Sequence, residues 1–118
     1  MFSLNESNRF YLYTRPVDLR KGFNMLCGVI RSQSQLNPID GSVYIFINGQ
    51  RNTLKLLHWE RGGQVIYHKR LEQGRISQVV FSHEEQFHIL RWDELVLLIE
   101  GINLKSKRRS RYNIMQVY

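Results

Sequence analysis

Residues 58–75, HWERGGQVIYHKRLEQGR, place two histidines and two glutamates around a Gly-Gly pair. Imidazole and carboxylate groups bind zinc and transfer protons, so this stretch is the first candidate for catalytic or metal chemistry. A two-residue turn at Gly62 and Gly63 points His58 and His68 to opposite faces of a hairpin. A three-residue loop puts both on one face, but only as diagonal neighbours, roughly 7–8 Å apart between Cα atoms. We therefore expect no metal site here.

The carboxylates make no stronger case for catalysis. Glu60 and Glu72 flank the same predicted hairpin, with basic residues close to both in the sequence. Ion pairs with those cations lower carboxylate pKa values, whereas a general acid needs a raised pKa. Asp18, Asp40 and Asp93 are candidates for holding two magnesium ions, but helix starts and a turn account for them more simply. We expect no enzyme, no metal and no cofactor.

Positive charge is the strongest compositional feature. The 118 residues include 17 Lys and Arg against 10 Asp and Glu, a formal net charge of +7. The segment KSKRRSR at 105–111 contains five of these bases, so the rest of the chain is nearly neutral. A concentrated basic run favours polyanion binding, with a solvated tail as the simpler alternative.

The expected compartment is the cytoplasm. Cys27 is the one cysteine and has apolar neighbours, so it predicts a buried side chain and a reducing compartment. The N-terminus lacks the pattern of a signal peptide, and no apolar run approaches the length of a membrane span. We expect no membrane partner.

The first part of the chain predicts a strand followed by a helix. Aromatic residues at 9–16 favour a short strand that Pro16 ends. Residues 17–34 then change to a helical period, with Pro16 and Asp18 suited to the first turn. The apolar stripe of this helix comprises Leu19, Phe23, Leu26, Cys27 and Ile30.

The middle of the chain predicts antiparallel strands. The ranges are 42–48, 53–60 and 64–71, followed by a turn at 72–75 that leads into ISQVVF and a further short strand at 87–90. Asn48 and Gly49 suit a turn with positive φ. Residues 82–86 fit either a loop or a helix start, because Ser82 and Glu85 have the spacing of a capping box.

The last predicted element is the helical segment 92–101, in which Gly101 is the C′ residue that follows the last helical turn. The order β-α-β-β-β-(β)-α predicts an α+β fold. It consists of an antiparallel β-meander, an N-terminal amphipathic helix and a short C-terminal helix, with the helices covering one face. The predicted organisation is a flexible N-terminus at 1–8, a single domain at 9–104 and a basic C-terminal tail at 105–118.

Four stretches in order resemble one known family. They are RPVDLRKGFNML at 15–26, GSVYIFINGQRNTLKLLHWE at 41–60, KRLEQGR at 69–75 and WDELVLLIEGIN at 92–103. Their order and spacing resemble the small TnpB-like accessory protein, the second open reading frame, of bacterial insertion sequences of the sixty-six type. Leu19, Glu60 and the absence of Trp-Pro after Arg75 depart from the family pattern.

The resemblance implies a process rather than a mechanism: transposition of an insertion sequence, beside a separate and larger transposase. The residues favour a non-enzymatic module that binds DNA or assists the transposase. The expected partners are DNA, the transposase and other proteins of the same element, and a second copy. One alternative is a protein-interaction module, in which a sheet edge or the aromatic strand 9–13 pairs with a partner. Another is a small metal-dependent nuclease.

The candidate nucleic-acid contacts are basic side chains in three groups. The first lies near the first helix, the second in the central turns and hairpin, and the third in the tail. The residues are Arg15, Arg20 and Lys21; Arg51, Lys69, Arg70 and Arg75; and Lys105, Lys107, Arg108, Arg109 and Arg111.

Overall fold

The computed structural model describes residues 4–20, 22–33, 35–82 and 84–108, the last eight of these as backbone alone. Its elements follow the predicted order, and the α+β class is confirmed. They are β1 (Phe10–Tyr13), α1 (Phe23–Arg31), β2 (Val43–Ile47), β3 (Thr53–Glu60), β4 (Gly63–Arg70), β5 (Phe87–Leu90) and α2 (Trp92–Arg108).

The five strands form one mixed sheet in the order β4-β3-β2-β1-β5. Strands β2, β3 and β4 make the predicted antiparallel meander. Strand β1 lies parallel to β2, with Phe10 beside Val43, and α1 makes the crossover between them. Strand β5 pairs antiparallel with the other side of β1. The expectation that strand 9–13 could pair with another protein is therefore wrong, because neighbours already occupy both of its sides.

The two helices cover opposite faces of the sheet. Val43, Ile45 and Ile47 pack in the cluster that contains the α2 residues Leu95, Leu98 and Ile99. Tyr44 and Phe46 point the other way and pack with the α1 residues Leu26, Cys27 and Ile30. The expectation that helices cover one face is wrong. Strand β2 shows why: its residues are hydrophobic and buried at every position, so it must be covered on both faces, by a layer on each side of the sheet.

Helix α1 begins later than the apolar period indicated. Its N-cap is Gly22, and residues 17–20 form a loop instead of a first turn. Val17 donates its N–H to the carbonyl of Ile47 at 3.1 Å, and the Asp18 carboxylate accepts the N–H of Arg20 at 3.1 Å. Leu19 belongs to this loop and is buried, although it is not part of the helix. Its agreement with the helical spacing of the apolar residues was therefore a coincidence.

The β3–β4 turn consists of Arg61 and Gly62, not Gly62 and Gly63 as predicted. Glu60 pairs with Gly63, which leaves two turn residues with φ of 53° and 81°. Two positive φ values are typical of the tight hairpin turn whose twist matches the flanking strands. Arginine takes the first left-handed position here, which a search for glycine pairs cannot detect.

The β2–β3 turn also differs from its prediction in detail. The positive φ is at Arg51, at 59°, not at Asn48 or Gly49. The Asn48 side chain accepts the N–H groups of Asn52 and Thr53 at 3.0 and 3.1 Å. Asn48 therefore stabilises this turn through its side chain, whereas its backbone conformation is ordinary.

Residues 71–82 and 84–86 cross the α2 side of the sheet without forming a strand. Ile76 and Val79 are buried there, in the cluster that includes α2. Ser82 and Glu85 make one bond of a capping box: the Glu85 carboxylate accepts the N–H of Ser82 at 3.1 Å, whereas the Ser82 hydroxyl accepts the N–H of Glu84 instead of that of Glu85. They do so in a loop, so the loop alternative is correct.

Helix α2 continues to Arg108, so the prediction that Gly101 ends it is wrong. An interior glycine lowers helix propensity without forcing an end. Among the described helices, none has the length and apolar character needed to cross a membrane.

Candidate nucleic-acid interface

Three connections of the chain meet at one end of the sheet. Strands β1, β2 and β4 run in the same direction, so the loops that follow them lie together. The N–H of Leu71 donates to the Asn52 carbonyl at 2.7 Å, and the N–H of Ile76 donates to the Arg51 carbonyl at 2.6 Å. We call this end, formed by residues 14–20, 48–52 and 70–76, the basic end.

Four of the predicted DNA-contacting arginines come together at the basic end. Arg15 and Arg20 follow β1, while Arg70 ends β4 and Arg75 follows it, and all four side chains are exposed. An open groove of about 800 Å³ lies between the 16–20 loop and the β3–β4 hairpin. Its lining includes Arg20, Arg70, His68, Asn48 and Asn52. Residues that are far apart in sequence thus share one polar, positively charged surface.

Arg20 is held by its neighbour Asp18. The guanidinium donates from Nε to Oδ1 and from Nη2 to Oδ2 of that carboxylate, each at 3.0 Å. This hydrogen bond raises the pKa of Arg20, whose side chain is 91% exposed. Such an exposed pair adds little stability. Its effect is to orient the guanidinium at the rim of the groove.

Arg51 points its guanidinium inward. Nε donates to the carbonyl of Ile76 at 3.1 Å, and Nη2 donates to the carbonyl of Ser77. Burial lowers the pKa of Arg51. These bonds attach the segment after β4 to the β2–β3 turn. Of the predicted cations at the basic end, Arg51 is therefore the one that the fold itself uses.

Two lysines also hold the layers together. Lys69 Nζ donates to the carbonyl of Ile99 in α2 at 2.8 Å. On the other face, Lys55 Nζ donates to the carbonyl of Leu19 at 2.8 Å and anchors the 17–20 loop. His68 lies directly opposite Lys55, is exposed and lines the groove. We did not predict His68 as a contact; the parity of its strand, shared with Arg70, is the signal that could have found it.

The remaining predicted contacts lie outside what the structure describes. Lys21, Arg109 and Arg111 are outside the described residues. Lys105, Lys107 and Arg108 belong to α2 as backbone, but their side chains are not described. Contact between the tail and DNA stays a prediction.

The two hairpin histidines point to opposite faces, as the parity argument predicted, although through a different register. His58 pairs with Val65 and His68 with Lys55. His58 is buried, with Nε2 3.4 Å from the Glu60 carboxylate. A shared site for the two imidazoles would need them on one face.

The three aspartates considered for magnesium have separate partners. Asp18 pairs with Arg20, and Asp93 pairs with Arg91 at 3.0 Å. Asp40 accepts the hydroxyl of Tyr44 at 3.0 Å, and burial raises the pKa of that hydroxyl. Within the described ranges, no group of three or more His, Cys, Asp or Glu residues is placed to hold a metal ion.

Comparison with known families gives the context for this surface. The family described as "IS66 Orf2 like protein" matches residues 8–109. The chain belongs to this family. The IS66 Orf2-like chain is thus an accessory protein of an insertion sequence, and the resemblance seen in the four stretches is confirmed. The match includes all three connections of the basic end and the whole of α2.

Two curated proteins of Sinorhizobium fredii (strain NBRC 101917 / NGR234) are similar to this IS66 Orf2-like chain. The uncharacterized protein y4jC is 30% identical over 102 residues, which is 86% of this chain and 85% of the relative. The uncharacterized protein y4hO is 29% identical over 75 residues, 64% of this chain and 65% of the relative. No solved structure matches the chain.

Proposed function

We propose that this insertion-sequence accessory protein binds the phosphate backbone of DNA through the basic end, without catalysing a reaction, and so assists the separate transposase. The observation that supports this best is the grouping of Arg15, Arg20, Arg70 and Arg75. Arg15 and Arg20 come from the connection after β1, and Arg70 and Arg75 from the end of β4 and the segment after it, and all four are exposed.

The chemistry of the groove suits phosphate better than base edges. Guanidinium groups donate paired N–H bonds to phosphate oxygens, and a side-chain amide such as that of Asn52 adds neutral donors. The aromatic rings next to the sheet pack against each other: Tyr11 stacks on Tyr44 at 5.4 Å, and Tyr13 packs against Phe46 and Phe87. Tyr44 and Phe46 belong to the buried core cluster and the other three rings pack against it, so all five are poor platforms for unstacked bases.

The basic tail supports the same proposal by position. Lys69 bonds to Ile99, so α2 passes close to the carboxyl end of β4 before the basic run begins. Its five cations would add long-range attraction to the surface formed by the arginines.

The test is a salt titration of binding to the terminal repeats of the element and to random duplex DNA. For duplex DNA, five engaged tail charges contribute a slope of about −4 to −5 in log affinity against log salt. Four arginines at the basic end would steepen that slope by about −3 to −4. Binding that is equal for both DNAs would indicate a nonspecific contact.

The double variant Arg70→Ala and Arg75→Ala tests the surface. We expect weaker binding and a slope that is flatter by about 2. The matched control is Arg9→Ala and Arg31→Ala, which removes the same charge from the opposite end of the sheet. Arg9 precedes β1, and Arg31 ends the helix that returns the chain to β2; both are exposed. Equal loss in the two variants would overturn the proposed surface. A further variant lacks the tail, residues 105–118. If it binds DNA as tightly as the full chain and with the same slope, the tail is not a DNA contact.

A further inference from the structure

Strand β4 is an open edge of the sheet. Its eight residues pair with β3 on one side, and no described strand lies on the other. Val65 and Ile66, in its middle, are 43% and 37% exposed and point to opposite faces. The opposite edge strand, β5, has only four residues. Edge strands are usually kept short or interrupted by charge or proline, and the centre of β4 has none of these devices.

The hairpin register shows which main-chain groups of β4 face outward. Glu60 and Gly63 close the two-residue turn, so they form a hydrogen-bonded pair. Bonded and non-bonded pairs alternate in an antiparallel ladder. The odd-numbered residues of β4 therefore bond to β3. The N–H and C=O groups of Gln64, Ile66 and His68 point away from the sheet.

We propose that β4 pairs antiparallel with β4 of a second copy, with Ile66 opposite Ile66. In this register, Gln64 of each copy is opposite His68 of the other. The outward groups of these three pairs exchange about six main-chain hydrogen bonds. Val65 is opposite Tyr67 on the α2 side, so the exposed apolar side chains of each copy cover those of the other.

The charges of the hairpin favour this register over its neighbours. With Ile66 at the centre, Lys69 is opposite Gly63 and Arg70 is opposite Gly62, so no like charges oppose each other. Centring the pair on Val65 instead places Lys69 opposite Arg61. Centring it on Tyr67 places Lys69 opposite Val65 and separates the apolar residues. Like charges directly opposite each other are destabilising.

This complementarity is why a second copy fits the edge better than an unrelated strand. The apolar centre meets an identical apolar centre, and the cations at one end of β4 meet the glycines at its other end. The pairing requires no DNA and does not depend on the proposed function.

Cysteine variants test the register directly. In a hydrogen-bonded pair, the Cα atoms are about 5.5 Å apart, which a disulfide can span. We expect Ile66→Cys to form a reducible covalent dimer under mild oxidation. In Val65→Cys, the two sulfurs belong to diagonal positions, roughly 7–8 Å apart between Cα atoms, and we expect little dimer. The wild-type chain controls for Cys27, which is buried.

Light scattering on the eluting protein tests the noncovalent pair. We expect the wild-type chain to show a concentration-dependent dimer. Ile66→Lys places two cations opposite each other and should weaken the dimer at least about tenfold. The control is Ile89→Lys on β5, where the side chain is 67% exposed, and it should leave the dimer intact. A wild-type chain that stays monomeric, equal weakening by both lysines, or cross-linking that is faster at Val65→Cys would each overturn the proposal.

Discussion

Lys69 Nζ donates a hydrogen bond to the main-chain carbonyl of Ile99 at 2.8 Å, which joins the KRLEQGR stretch to the closing helix. The next residue, Arg70, points to the other face of the sheet and is exposed at the groove. Two adjacent basic residues of one sequence motif therefore have different roles. Lys69 holds α2 on the sheet, while Arg70 is available to a ligand.

Replacing Lys69 by methionine should lower the free energy of unfolding by about 1 kcal/mol, because the stem still packs but the Ile99 carbonyl, which lies inside α2, loses the lysine as an additional donor. Arg70→Met is the matched control. It removes the same charge from an exposed position and should change stability by less than about 0.5 kcal/mol. Urea unfolding followed by tryptophan fluorescence measures both. Equal midpoints for the two variants would contradict the structural assignment of Lys69.

Arg51→Lys keeps the charge and loses the fork geometry that reaches two carbonyls. We expect it to lower the free energy of unfolding by about 1–3 kcal/mol, because at least one half-buried carbonyl is left without a partner. Hydrogen exchange at the N–H of Ile76, which bonds to the Arg51 carbonyl, should become faster. The salt dependence of DNA binding should not change. A flatter slope with unchanged stability would instead mark Arg51 as a DNA contact.

The order of the elements was predictable, because each strand and helix has its own period in the sequence. Strand β5 is an example: its four residues were predicted as FHIL and observed as Phe87–Leu90. The direction of β1 was not predictable from these local patterns. Its parallel pairing with β2 depends on the crossover through α1, and the aromatic residues of a four-residue strand fit either direction.

The sequence predicted which residues could contact DNA, but not which of them lie together on one surface. Sequence distance gives no reason to group Arg15 with Arg75, and only the shared direction of β1, β2 and β4 does so. Arg51 shows the converse limit. Its positive φ and its two carbonyl partners depend on the path of residues 76–77, for which the sequence has no periodic signal.

Glu85 should contribute stability that disappears in acid. Its carboxylate lies 3.0 Å from Nδ1 of His88, and this hydrogen bond lowers the pKa of Glu85. A carboxylate whose pKa is lower in the folded state stabilises the protein at pH values above its unfolded-state pKa. This stabilisation is lost as the pH falls through its folded-state pKa. We expect wild type to be more stable than Glu85→Gln at pH 7, and the difference to be smaller at about pH 3, below the ordinary pKa of a glutamate. Denaturant midpoints at the two pH values measure this. A difference that persists in acid would point to a cause other than charge.

Gly62→Ala and Gly63→Ala should affect stability in opposite directions, which tests the observed turn. Gly62 has a φ of 81°, and a Cβ there meets no atom within 4 Å, so the cost is conformational alone. We expect Gly62→Ala to lower the free energy of unfolding by about 1 kcal/mol. Gly63 opens β4 at a position without positive φ and is equally uncrowded. Because alanine there restricts the unfolded chain, we expect Gly63→Ala to stabilise by about 0.4–1 kcal/mol. Thermal unfolding of the two variants side by side measures the sign. If Gly63→Ala were the destabilising change, the turn would lie one residue later, and the outward-facing groups of β4 would belong to the other set of residues.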